Sequence, residues 1–304
     1  MILITGASSY VGAKLLTYFN NKNLIKSYNK IKITDKNSVY LDITKKIVMT
    51  EQLKKVNTII HLASLDHIES QLNKKKSHKV HTLGIKNILY FSKKLKIKKF
   101  IYFSTINVYG KNLKKIVFEK KKTYPINNYA KAKRESEKII YKYSLNSKTE
   151  FIILRLSNII SEPIYLRDNF RNLLLNDICF QLLNKNSVEL NSDGKQTRDF
   201  VSIKDLAYFI KNIIRKKKKK NFEILNFCSG KNISIKSFTN LIIKRYEILY
   251  NKKPKLTFGA DVKKLKYKIS NEKIKKMKLI KKFSDLTDHV DATLRFCNKL
   301  VNAK

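Results

Sequence analysis

A doubly wound parallel α/β sheet with a smaller C-terminal lobe is the fold this sequence predicts, and three observations predict it. Short apolar, β-rich runs alternate with segments of helical apolar spacing from Met1 to Leu156, the pattern of consecutive βαβ units. A turn bearing two glycines, Thr5-Gly6-Ala7-Ser8-Ser9-Tyr10-Val11-Gly12, joins the first strand to the first helix. After Leu156 the alternation gives way to helices, a polar turn and isolated strand-like runs.

The first strand is Met1–Thr5, apolar until it stops at Gly6. Val11, Leu15, Leu16 and Phe19 recur at helical spacing and place the first helix over Val11–Phe19. Ile31–Asp35 reads as the second strand and Val39–Leu41 as the third. Asn57–Leu62 is apolar almost throughout, as in a strand covered on both faces. A helix over Lys79–Leu95 leads into strand Phe100–Ser104, and an amphipathic helix from about Asn128 to Tyr143 leads into strand Phe151–Leu156. Helix Asn169–Leu183, turn Asn191–Lys195, strand Asp199–Ile203, helix Asp205–Ile214 and strand Glu223–Phe227 follow. The remainder reads as mainly helical and Lys-rich. With no internal repeat and no Pro/Gly/Ser-rich linker, the second lobe is expected to wrap onto the sheet edge.

The charge is extreme: 66 Lys+Arg face 23 Asp+Glu, a formal net charge of +43 over 304 residues. With 43% hydrophobic and 11% aromatic residues the chain can still bury a core, which excludes a disordered polycation. Only eight of the basic residues are Arg, the side chain that phosphate and base recognition favours. Lys, Ile, Asn, Phe and Tyr abound while Gly (7), Pro (3) and Trp (0) are scarce, a split that follows A/T-rich codons. The charge therefore reads as solvated faces rather than a nucleic-acid surface, and the run Arg215 to Lys220 as an exposed connecting loop. No apolar run reaches the roughly 20 residues of a membrane span, and the first residues do not read as a signal peptide. Cys179, Cys228 and Cys297 are odd in number and form no CxxC pair, so packed thiols in a reducing cytoplasm are expected. His78 and His81 lack a third ligand at motif spacing, and no metal is expected.

With glycine so scarce, the two in the first turn point to places where a Cβ is not tolerated. A strand–turn–helix start of this kind suits a pyrophosphate, with backbone in close approach and free N–H groups at the helix N-terminus. An acid ending the second strand, here Asp35, accepts hydrogen bonds from an adenosine ribose and repels a 2′-phosphate, which favours NAD over NADP. Tyr129 and Lys133 are four apart and share one helix face. An ammonium beside a phenol is expected to lower the phenol's pKa toward neutrality, which would make Tyr129 an acid/base. Thr105 closes a strand at the edge where open α/β sheets bind ligands.

Together these segments resemble the extended short-chain dehydrogenase/reductases, in particular the NAD-dependent epimerase/dehydratase family that modifies nucleotide sugars. The resemblance covers most of the chain. It implies a Rossmann-like NAD-binding domain over residues 1–165, with a return strand near 223–227. Residues 166–304 would be mainly a substrate-binding lobe, including a return segment near 199–228. Gly6–Gly12 resembles the family's GxxGxxG loop, with Gly6, Ser9, Tyr10, Val11 and Gly12 toward the cofactor. Asp35 takes the place of its ribose-binding acid, and Asp42 with Ile43 that of the pair beside the adenine. His61-Leu62-Ala63-Ser64 resembles the HLAA segment, with Leu62, Ala63 and Ser64 under the cofactor. The catalytic set it implies is Thr105, Tyr129 and Lys133. Asn107, Asn158 of Arg155-Leu-Ser-Asn158, and Arg198 of the segment ending Arg198-Asp-Phe-Val would hold substrate. Asn226-Phe-Cys-Ser-Gly230 resembles a later strand end of the family.

There are departures. Ser9 stands for the loop's middle glycine, His81 for an Asn, and Ser161 for a Gly. Ile106-Asn107 stand where the family's dehydratases carry Asp-Glu, which disfavours dehydration. The expected function is a cytoplasmic, homodimeric, NAD-dependent epimerase of a nucleotide sugar acting through a keto intermediate. An NAD(P)H-dependent reductase of a nucleotide-linked keto-sugar is the alternative, and a non-catalytic RNA-binding or scaffold member of the fold is a weaker one.

Overall fold

The computed structural model describes residues 1–303 apart from 112, 114, 167–168, 218–219 and 262–266. Strand β1 (Ile2–Thr5) stops at Gly6 and α1 (Tyr10–Leu16) follows. Next come β2 (Leu24–Tyr28), β3 (Ser38–Tyr40), α2 (Glu51–Lys54), β4 (Thr58–His61), α3 (His67–Leu72) and α4 (Lys74–His78). A π-type turn over Lys79–Leu83 leads into α5 (Gly84–Lys94) and β5 (Lys99–Thr105). The chain continues through β6 (Lys115–Val117), α6 (Asn128–Ser144), β7 (Glu150–Leu156), β8 (Asn158–Ile160), α7 (Leu174–Lys185) and β9 (Ser187–Ser192). β10 (Thr197–Ser202), α8 (Ile203–Arg215), β11 (Phe222–Phe227), β12 (Asn232–Ser234) and α9 (Ile235–Tyr250) come after it. β13 (Lys255–Ala260), β14 (Tyr267–Ile269), α10 (Glu272–Lys276) and α11 (Thr287–Asn302) complete the chain.

Seven strands pair in parallel in the order β11-β7-β5-β4-β1-β2-β3. Winding leaves β1 both ways, so the loops after β1 and β4 enclose the crevice where open α/β sheets take ligands. The central strands are apolar because both faces are covered. Ile60, Ile101 and Leu154 meet Leu206, Phe209 and Ile210 of α8 on one side. Ile59, Phe100 and Phe151 meet Ile88 of α5 and Ile140 of α6 on the other. A third apolar cluster joins α7, α9 and α11 around Cys179, Phe238, Tyr246, Leu294 and Cys297, and all three cysteines are buried and free. Asp291 of α11 takes a bidentate Arg245 at 2.7 and 2.6 Å. His289 of α11 lies 2.6 Å from both Ser202 Oγ and Glu162 Oε2, and Glu162 also pairs with Lys14 of α1.

Four sequence expectations are corrected. The second strand is Leu24–Tyr28, not Ile31–Asp35. Lys26 and Ser27 break its apolar run, yet Lys26 is 5% exposed and reaches Asp35 Oδ2 at 2.7 Å. Ile31–Asp35 alternates like a strand, but Ile31 is 44% exposed and the segment is a loop. The helix expected over Lys79–Leu95 starts earlier, in α4, and passes through the π-type turn into α5, where Gly84 packs closely against the Ile43 side chain. The helix expected over Asn169–Leu183 is a 3₁₀ turn, Phe170–Asn172, followed by α7. The C-terminal third also holds strands, β13 pairing with β9 and β14 with β6. In the basic run Arg215 to Lys220, residues 218–219 lie outside the described residues. No described helix is long and apolar enough to cross a membrane, and no metal-holding group of three or more His, Cys, Asp or Glu occurs among the described residues.

Candidate active site

The glycine turn closes tightly on the loop after β4. Gly6 adopts φ +70°, and a Cβ there would lie 2.7 Å from Ala63 N. At Gly12 a Cβ would strike the Gly6 carbonyl. Ser9 caps α1, its Oγ accepting from Gly12 N at 3.0 Å, so the hydroxyl that replaces a glycine organises the helix start. Val11 packs against the core. The Tyr10 hydroxyl donates to Ser161 O and to Asn176 Oδ1 at 3.3 Å, and burial pushes its pKa up.

Leu62 is buried, and Ala63 N donates to Thr5 Oγ1 at 3.4 Å. Ser64 Oγ donates to Leu65 O at 2.7 Å and lies 3.4 Å from His81 Nε2. Asp42 Oδ1 accepts from Thr44 N at 2.9 Å and Thr44 Oγ1 at 2.7 Å, while Ile43 is a core residue. Asp35 is not at a strand tip. It holds Lys26 Nζ and accepts from Asn37 N at 2.8 Å, contacts that lower its pKa.

At the far side of the crevice β5 ends on Thr105, which is 7% exposed. Its Oγ1 accepts from Asn107 N at 3.2 Å and caps the next turn, leaving Asn107 exposed. Helix α6, capped by Asn127 Oδ1 on Ala130 N at 2.8 Å, packs over β5 and this turn. It brings Tyr129 and Lys133 one turn apart, with Lys133 Nζ 5.7 Å from the Tyr129 ring centre and 5.1 Å from that of Tyr102. Lys133 donates to Phe103 O at 2.8 Å, whereas the Tyr129 hydroxyl makes no hydrogen bond to another described residue.

The electrostatics reverse the expectation for this pair. Desolvation raises Tyr129 to about 12, with Asp66 adding to it, and burial lowers Lys133 to about 7 against the pull of Glu137. The free protein thus favours phenol and, above about pH 7, neutral amine. Spacing along the helix predicts the approach of the two groups but not the desolvation of both.

Sequence reasoning missed the residues that flank Tyr129. The His67 and His81 rings lie 6.4 and 6.5 Å from its ring. Asp66 caps α3 through Glu69 N at 2.8 Å and accepts from Asn169 Nδ2 at 2.6 Å. The Asp66-x-x-Glu69 pattern of a helix start was the available signal. Buried His61, with Nδ1 2.6 Å from Thr5 Oγ1, is held neutral with its pKa down at about 3.

Asn158 and Arg198 fall on paired strands, β8 and β10. Asn158 Nδ2 donates to Asp199 O at 2.8 Å, and Arg198 has no ion-pair partner among the described residues. Asp199 itself is bound by Ser229 N, Ser229 Oγ and Gly230 N at 2.7–2.9 Å.

The site thus sets a tyrosine and a lysine on one helix face beside the end of a central parallel strand. Comparison with known proteins is more specific. The chain belongs to the NAD dependent epimerase/dehydratase family, whose model matches residues 2–228. It is 29% identical over 248 residues to a dTDP-D-glucose 4,6-dehydratase of Dictyostelium discoideum, covering 71% of this chain and 55% of that protein. It is 30% identical over 201 residues to a probable UDP-arabinose 4-epimerase of Arabidopsis thaliana, covering 60% and 48%. The chain thus spans about half the length of these relatives. Among solved structures it is similar to MoeE5 in complex with UDP-glucose and NAD, with a TM-score of 0.82, 16% identity and 99% of each chain covered.

Proposed function

We propose that the chain is a NAD-dependent epimerase of a nucleotide sugar, working through a keto-sugar intermediate. The carrying observation is the Tyr129–Lys133 pair beside the tip of β5, with an unpartnered phenol and no carboxylate at Ile106 or Asn107. Water elimination would need an acid and a base there. The nucleotide-sugar activities named for the two relatives support the substrate class.

The residues fit the cofactor at two of its parts, the pyrophosphate and the nicotinamide ribose. Gly6 and Gly12, where a Cβ would meet backbone, form a surface for the pyrophosphate. Lys133 would hold the nicotinamide ribose. When bound, NAD would supply the hydride acceptor and donor for the sugar carbon. Tyr129 Oη takes the proton from a sugar hydroxyl and later gives it back, and Thr105 Oγ1 hydrogen-bonds the same oxygen. The Lys133 ammonium stabilises the phenolate. Asn107, Asn158 and Arg198 hold the remainder of the substrate.

The test is incubation with candidate nucleotide sugars without added NADH. Inversion of one carbon is expected. A stoichiometric requirement for NAD(P)H would make it a reductase, and loss of water a dehydratase. Thr105→Val, which keeps volume and removes one hydroxyl, should lower kcat about fivefold, the scale of a single hydrogen bond of about 1 kcal/mol. Steady-state kinetics beside an unchanged circular dichroism spectrum checks this.

The same reading makes the protein a cytoplasmic homodimer without nucleic-acid function. Its affinity for duplex RNA, followed by fluorescence anisotropy, should vanish near physiological salt, as it does for exposed nonspecific Lys contacts. Sequence-selective binding at that salt would contradict it.

A further inference from the structure

The adenosine end of the crevice departs from a NAD site. In a doubly wound fold, an acid at the tip of the strand after the first helix binds the ribose hydroxyls and repels a 2′-phosphate. Here that strand is β2, fixed by its register with β1 (Ile2↔Leu24, Ile4↔Lys26) and by Ala7 N donating to Ser27 O at 3.0 Å. Its tip and exit read Ser27-Tyr28-Asn29-Lys30, with no acid.

Two of the nearby carboxylates, Asp35 and Glu69, are matched by lysines, while Asp42 and Asp66 are held by hydrogen bonds from Thr44 and from Glu69 N and Asn169. Asp35 holds Lys26, and withdrawing it would strand a buried ammonium, a costly change. Glu69 Oε1 accepts from Lys30 Nζ at 2.8 Å, with the Lys30 side chain 65% exposed. Lys30 follows β2 and Glu69 belongs to α3, after β4. These two strands flank β1, so the Lys30–Glu69 pair links the segments that follow the strands on either side of it. An exposed pair of this kind opens at little cost.

Resting on the family reading of this crevice, we propose that the protein does not discriminate against the ribose 2′-phosphate and that Lys30 is the residue that meets it, so that NADP(H) binds about as well as NAD(H). The strand-tip acid that gives charge repulsion in a NAD-selective site is absent from Ser27-Tyr28-Asn29-Lys30. Lys30 can exchange Glu69 for a phosphate oxygen.

Titration of the full chain with NADH and NADPH, read by nicotinamide fluorescence and by calorimetry, tests this without turnover. Dissociation constants within about tenfold of each other are expected. Lys30→Asp should weaken NADPH at least 30-fold while changing NADH by less than about threefold, and Glu69→Gln should tighten NADPH. Wild-type protein that binds NADH 100-fold more tightly than NADPH overturns the proposal and leaves the family reading intact. So does a Lys30→Asp variant with unchanged preference. Binding of neither dinucleotide overturns both.

Discussion

Tyr129→Phe is expected to lower turnover about 10²-fold or more while leaving folding and dinucleotide binding nearly intact. The substitution keeps the ring against His67 and His81 and deletes only the oxygen that no described residue binds. Undiminished turnover would remove Tyr129 from the mechanism. The pH profile of kcat/KM provides a second check. The productive pair, Tyr129 phenolate with Lys133 ammonium, carries one proton, as does the phenol–amine pair that predominates above about pH 7. Below that pH both groups are protonated, with Lys133 at about 7 and Tyr129 at about 12. Activity should therefore climb with pH to about 7 and then level off, the rise belonging to the coupled pair rather than to either residue alone. A profile that falls from pH 6 to 8 would contradict this assignment.

The largest loss of stability is expected at Glu137, on the same helix. Its Oε1 accepts from Ser104 Oγ at 2.6 Å and Arg155 Nε at 2.9 Å, and its Oε2 from Arg155 Nη2 at 2.7 Å and Arg134 Nη1 at 3.2 Å. Glu137 and Arg155 are 1% and 2% exposed, and Arg155 stacks 4.8 Å from the Tyr109 ring centre. Glu137→Ala leaves the guanidinium buried without its counter-ion, a change of about 3–5 kcal/mol. Urea unfolding should show it as a lower midpoint at similar slope. The paired change Glu137→Leu with Arg155→Met, which removes both charges, should recover much of the loss. If Glu137→Ala costs under about 1 kcal/mol, the network does not hold the fold together. Because Ser104 precedes Thr105, activity should fall with stability in the single variant.

The placement of β1, β4, β5 and β7 was legible because each holds an uninterrupted apolar run, such as Phe100–Phe103 and Phe151–Leu154, and that of α6 because the segment is amphipathic. β2 was not, because its Lys26 is neutralised across a loop by Asp35, a partner that only the folded chain brings near. The same concealment moved Asp35 from a strand tip to a turn and left the adenosine end of the crevice misread. The turn at Gly6 was legible through the scarcity of glycine. That Tyr10 would leave that turn for Ser161 and Asn176 was not, because those partners lie some 150 residues away. Burial of Lys133 and the flanking of Tyr129 by Asp66, His67 and His81 depend on how β4 and α6 converge, which local spacing does not encode.

The seat of β11 beside β7 also sets a clock on synthesis. β7 carries Phe151, Ile152, Ile153 and Leu154, all buried, and its outer edge is hydrogen-bonded only by β11. On the ribosome roughly 65 residues separate the two strands, so at roughly 5–20 residues per second the edge stays open for roughly 3–13 s. For that interval a nascent chain presents a bare, largely apolar strand edge, the kind of template that recruits a second chain. The repulsion between Lys-rich neighbours then acts before the fold is complete, keeping unfinished chains apart until the last sheet strand arrives.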